Sequence, residues 1–244
     1  IVLAAKAGAS DALHIVDIKT KKSKKIPIDL DGVFSASWSP AGREIVFTGN
    51  HNGSSDIYIY NLDQEKYRQI TDDIFSDSYP RWNNKGDEIV FVSDRGHYVD
   101  GKYSGRMEDH DYRQTDIYIL NTKDGNIRRI TDTPDNENHP IWANTKRTIF
   151  YTSDHNGVHN LYKHSLGSHS ESNNENKSGA YAITNVLTGL QQPTISGDDN
   201  SLIFAGYSGT GWDLYSINKP LEMSSKKIMP THYIKTRDQE DLSV

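Results

Sequence analysis

Between His97 and Gln114 the chain reads HYVDGKYSGRMEDHDYRQ, its densest collection of groups able to do chemistry. Imidazoles and carboxylates close in sequence, here His97, Asp109, His110 and Asp111, are the donor types that hold a divalent transition metal. His139 and His155 stand near turns further along and, with His97 and His110, make a set of four weak metal candidates. No signature spacing joins them, so no cofactor is expected. Asn50–Gly53 and Asp154–Gly157 lack the spaced carboxylates and closing glutamate of a calcium loop, and they read as turns. A G-x-S-x-G elbow is absent from the sequence, as is the strand–helix alternation that would carry one. Nucleophilic catalysis therefore finds no support, and the expected role is non-enzymatic.

The same run also holds Tyr98, Tyr103, Arg106, Glu108 and Tyr112, the aromatic and Arg chemistry that anchors partner interfaces. What positions it is a repeat. DSYPRWNNKGDEIVFVSDRG (77–96) leads through the run to TDIYILN (115–121) and IRRIT (127–131). One unit earlier stand SASWSPAGREIVFTGNHNG, SDIYIYN and YRQIT; one unit later, HPIWANTKRTIFYTSDHNG, VHNLYKHS and AYAIT; a weaker copy reads QPTISGDDNSLIFAGYSGTG and WDLYSIN. Trp38, Trp82, Trp142 and Ile195 mark spacings of 44, 60 and 53 residues. Four short strands in a shared core of about 42 residues are the period of a propeller blade. The strands alternate Ile with Tyr, giving two apolar faces, and the tryptophans are expected to pack between blades.

The tryptophan, the Gly-containing turn, the IVF strand, the SD-R-G turn, the DIY strand and the closing R-x-I-T resemble the WD-repeat-like blades of the TolB family. Related blades occur in the propellers of tricorn-type and prolyl-oligopeptidase-type peptidases. The resemblance covers Ser35 to Asn218 and implies an all-β propeller of four-stranded antiparallel blades, five in this chain, with six as the alternative. The expected blades are 1–33, 34–73, 74–133, 134–187 and 188–233, in a single domain of a longer protein. Residues 234–244 form a tail or a ring-closing strand. The first blade lacks its first strand, and Lys227–Tyr233 is expected to supply the last strand of the fifth.

Two insertions interrupt the repeat. His97–Gln114 joins the second and third strands of its blade, whereas Ser165–Gly179, rich in Ser, Asn and His, joins the third and fourth of the next. In a propeller these loops emerge on opposite faces, and the first shares its face with the loops between blades. That face carries many carboxylates, among them Asp72, Asp73, Asp77, Asp94, Asp132, Asp135, Glu137 and Asp154. Focused negative charge draws a cation or a basic segment. Asp56, Asp94, Asp116 and Asp154 are instead expected to bond backbone amides in turns.

The resemblance implies a face that accepts an extended peptide from a partner protein. The expected contacts are Tyr98, Tyr103, Arg106, Glu108, Asp109, Asp111, Tyr112, Asp73 and Asp135. The same resemblance implies a periplasmic or cell-envelope setting, with the substrate-gating propeller of a serine peptidase or a metal-dependent oligosaccharide lyase as alternatives. A net charge of −6 argues against nucleic acid. The Lys19–Lys25 run reads as a solvated edge, and no apolar stretch approaches the ~20 residues of a membrane span.

Overall fold

The computed structural model describes residues 1–7, 10–167 and 179–241. Most of the second insertion (168–178) and the last three residues lie outside that description. The chain divides into two compact units, Ile1–Asp132 and Thr133–Val244. Together they hold five antiparallel sheets of the propeller-blade class.

Unit 1 contains three sheets. The first is β1 (Val2–Ala7), β2 (Ser10–Val16) and β3 (Ser23–Pro27), three strands in sequence order. The second is β4 (Gly32–Trp38), β5 (Glu44–His51), β6 (Ser54–Asn61) and β7 (Lys66–Gln69). The third is β8 (Asp77–Trp82), β9 (Glu88–Ser93), β10 (Asp116–Asn121) and β11 (Ile127–Arg129). Two apolar faces per sheet let the sheets stack. Leu13 and Ile26 pack with Ile45, Phe47 and Tyr58, and on the far side of the second sheet Val46, Ile57 and Ile59 receive Trp82, Ile89 and Phe91. Trp82 thus packs between blades, as expected.

Unit 2 contains two sheets. The fourth is β12 (Glu137–Trp142), β13 (Thr148–Ser153), β14 (Asn160–Ser165) and β15 (Tyr181–Ala182); the fifth is β16 (Leu190–Ile195), β17 (Ser201–Ser208) and β18 (Gly211–Asn218). Phe150 and Leu161 of the fourth pack with Leu190, Leu202 and Phe204 of the fifth.

The expected last strand at Lys227–Tyr233 does not form. The segment runs along the outer edge of the fourth sheet, where the Lys226 amide donates to the Ala182 carbonyl (2.8 Å), and then enters α1 (His232–Asp241). Lys163 draws it there by donating its Nζ to the carbonyls of Leu221 (2.9 Å) and Met223 (2.8 Å). Side-chain alternation could not reveal this, because the hydrogen bonds that place the segment belong to its backbone.

One repeat feature is carried by the backbone alone. Ser35, Tyr79, His139 and Gln192 have φ of 52°, 53°, 52° and 53°, each at a register shift in the first strand of its sheet. Left-handed backbone is uncommon outside glycine, and such bulges bend a strand and re-aim its side chains. The conformation of His139 is therefore a property of the repeat.

Candidate functional site: the corner beneath the first insertion

The loop between the second and third sheets and the turn after β9 meet in a corner of unit 1. At its centre Arg95 is fully buried. Its Nη2 donates to both oxygens of Asp77 (2.6 Å each), its Nη1 to Asp73 (3.0 Å) and its Nε to Ser93 Oγ (3.0 Å). Burial opposes the guanidinium charge, but Asp77 and Asp73 outweigh it and raise the Arg95 pKa. Burial pushes Asp77 up to about 6, with Arg95 pulling the other way.

Next to this pair stands Asp56, pushed up to about 7 by burial and then by the Asp77 charge. Asp56, Asp73 and Asp77 place carboxylate oxygens within 4.8 Å of one another, the one group among the described residues close enough to hold an ion. Each already has a partner: Asp73 and Asp77 share Arg95, while Asp56 accepts from Thr71 Oγ1 (3.2 Å) and Gln69 (3.2 Å). The arrangement is a polar knot in which one guanidinium stands against three carboxylates, and burial favours the protonated forms of Asp56 and Asp77.

The guanidinium also lies over the Phe75 ring (5.4 Å), and the first insertion is built on Phe75. Tyr98 stacks on it (5.9 Å), while Tyr103 (6.0 Å) and His110 (5.4 Å) meet it edge-on. His110 Nε2 comes within 3.2 Å of Asp94, and His97 lies against Tyr98 (4.0 Å). Thus Tyr98, Tyr103 and His110 turn inward, as feet of the insertion. What it presents outward is Tyr112, 71% exposed, and an exposed cluster in which Arg106 pairs with Glu108 (2.8 Å) and Asp109 (2.9 Å). Asp111 is exposed as well. A cleft of about 490 Å³ opens beside the insertion, lined by Asp72, Asp73, Asp100 and Lys102 among others.

The remaining candidates lie in unit 2. Asp135 is buried and accepts from His155 Nδ1 (2.6 Å) and from Arg237 of α1 (3.4 Å). His139 lies near Thr152 (3.4 Å). None of His97, His110, His139 and His155 belongs to the group able to hold an ion.

The repeat aspartates divide into two kinds. Asp94 and Asp154 accept the amides of Ser76 and Asn136 (2.8 Å each), as expected of turns. Asp56 and Asp116 do not bond turn amides. Each accepts the hydroxyl of the threonine that closes R-x-I-T (Thr71, Thr131), and that hydroxyl accepts the next amide, of Ile57 or Ile117 (2.9 Å). Asn160 and Thr184 repeat the clasp in the fourth sheet, with the Leu161 amide as donor. Arg95 and Phe75, the centre of the corner, escaped the sequence reading. The available signal was an Arg inside a Gly turn two residues past a strand, opposite a loop of aspartates.

These features define a class of fold, antiparallel sheets of the β-propeller blade type. Residues 6–100 match the family described as PD40, TolB beta propeller domain, which bears out the resemblance seen in the repeats. Among solved structures the chain is similar to TolB from Acinetobacter baumannii, with 16% identity, a TM-score of 0.65, and 94% of this chain against 52% of that one. It is also similar to a putative TolB from Agrobacterium tumefaciens (16%, TM-score 0.67, 85% against 70%) and to an oligogalacturonate lyase in complex with manganese (12%, 0.60, 88% against 58%). At these identities the likeness is one of fold. The chain spans about half the length of the Acinetobacter protein. No curated protein sequence matches it.

Proposed function

We propose that the chain is a non-catalytic binding module of the cell envelope, and that the first insertion with its cleft captures an extended, basic segment of a partner protein. The carrying observation is the junction of a rigid aromatic base with an open acidic cleft. Phe75, Tyr98 and Tyr103 fix the insertion in place, and Asp72 and Asp100 line the groove beside it. Groups held before binding lose little entropy on binding, and negative charge in a cleft raises the local concentration of a basic segment. Tyr112, Arg106, Glu108, Asp109 and Asp111 supply the outer contacts, while Asp73, tied to Arg95, shapes the corner beneath them. The TolB resemblance supports both the peptide partner and the envelope setting.

Removing the insertion would uncover Phe75, so exchanging exposed residues makes the cleaner test. A Tyr112→Ser, Asp109→Lys, Asp111→Lys variant should keep the wild-type melting temperature within about 2 °C, since exposed substitutions rarely exceed ±0.5 kcal/mol. It should lose the proteins that immobilised wild type captures from envelope extract. Undiminished capture would remove this face from the account.

A further inference from the structure

In three sheets the third strand is covered on its outer edge by a fourth, and the fit is the same each time. The isoleucine of the closing I-T donates its amide to the carbonyl of Ile57, Ile117 or Leu161 (2.8 Å each). The threonine hydroxyl accepts the amide of that same residue and donates to the preceding Asp56, Asp116 or Asn160. In the third sheet Arg129 adds a 2.6 Å ion pair to Asp116.

The fifth sheet holds the receiving half of this clasp without the inserted half. Asp213 pairs with Gly206 in register as Asp56 pairs with Gly49, and Leu214 takes the place of Ile57. Among the described residues no strand pairs with the outer edge of β18. Leu214 is 80% exposed, where Ile57, Ile117 and Leu161 are at 0%; on the same face Ile203 is 40% exposed, where Val46, Val90 and Phe150 are at 0%. The outer strands of the first three sheets carry Lys24, Lys25, Lys66, Arg68, Arg128 and Arg129, charges that discourage pairing with other chains. β18 presents Trp212, Leu214 and Tyr215 with one charged residue, Asp213. The tail that could fill the gap is held on the fourth sheet, where Lys226 bonds Ala182 and Asn185 reaches Lys227.

We propose that the outer edge of β18 is a strand-accepting site for an extended partner segment of the pattern basic–Ile–Thr, bound antiparallel, with the basic residue at the place Arg129 holds before Ile130. This surface lies in unit 2 and goes beyond the binding role assigned to the first insertion. Leu214 N–H donates to the threonine hydroxyl, Leu214 C=O accepts the isoleucine amide, and Asp213 accepts the threonine O–H and pairs with the basic residue. Main-chain bonds of this kind supply affinity and the clasp supplies sequence preference. Continuity with the three occupied clasps selects a peptide strand over other occupants.

The test uses a synthetic peptide of residues 126–133 (NIRRITDT) added to the whole chain, read by calorimetry and by amide exchange. Saturable one-to-one binding is expected, with new protection at the amides of Leu214 and Ser216. Replacing the peptide threonine by valine should weaken binding about tenfold or more, the worth of a clasp of this kind. So should the exposed substitution Leu214→Lys, checked for an unchanged near-ultraviolet spectrum. Absence of binding, equal binding of the valine peptide, or equal binding to Leu214→Lys overturns the proposal. Protection of Leu214 before peptide is added also overturns it, by showing the tail in the slot. Self-association abolished by Leu214→Lys, with the peptide refused, overturns it in favour of a second copy.

Discussion

The corner of unit 1 and its counterpart in unit 2, 60 residues further on, share a backbone plan but are closed by different means. The turn aspartates do the same work in both, Asp94 holding the Ser76 amide and Asp154 that of Asn136. Around them the side chains change: Phe75, Asp77 and Arg95 become Asp135, Glu137 and His155. In unit 1 the cation comes from the turn itself and is fully buried. In unit 2 the turn supplies an exposed histidine, and the arginine arrives from α1, where Arg237 is one-third exposed. One scaffold thus carries an internally locked platform for an insertion in the first unit and a docking point for the chain's own tail in the second. The repeat supplies the corner, and the residue after the turn aspartate decides what seals it.

Arg95→Met should show the largest effect, since removing the partner of buried Asp73 and Asp77 costs about 3–5 kcal/mol. Chemical denaturation should show that loss together with greater proteolytic sensitivity of the first insertion; a loss under 1 kcal/mol would mean that the lock is incidental.

Next in size is Asp56, whose ordinary pKa of 3.8 rises to about 7 in the folded chain. Folding therefore favours its protonated form. The resulting contribution to stability is complete below pH 4 and is lost as the pH climbs to about 7. Asp56→Asn imitates Asn160 of the fourth sheet, which accepts its threonine without a charge. The variant should gain about 1–2 kcal/mol over wild type at pH 8 and nothing at pH 4. Melts at the two pH values check this, and an equal shift at both would refute the assignment.

Arg237→Ala should have the smallest effect, about 1 kcal/mol or less, because the pair is long and partly solvated and His155 stays on Asp135. Near-ultraviolet and melting data should barely move, while the helical signal of α1 declines. A loss rivalling that of Arg95→Met would erase the difference between the corners.

Much of the fold was legible in the sequence because each blade writes its faces into a period of two. Val46, Ile57 and Ile59 alternate with Phe47, Tyr58 and Tyr60, and the same spelling recurs around Val90 and Ile117. The three strands of the first sheet were readable for the same reason. What the sequence concealed depends on backbone or on distance. The left-handed residues Ser35, Tyr79, His139 and Gln192 share no side-chain type. Helix α1 shows little apolar periodicity, and its docking rests on the single buried Ile234, on Thr231 donating its amide to Asn156 and on Arg237. The insertion advertised Tyr98 and Tyr103 as contacts; their inward turn depends on Phe75, more than twenty residues upstream of each.

Residue-resolved amide exchange on the wild-type chain tests the contrast between the corners most directly. The Ser76 amide, held by Asp94 beside the Arg95 lock, should exchange only through global unfolding of its unit, while the amides of α1 exchange through a local opening that costs far less. Exchange of Ser76 as fast as that of α1, or protection of α1 to the level of Ser76, would contradict it.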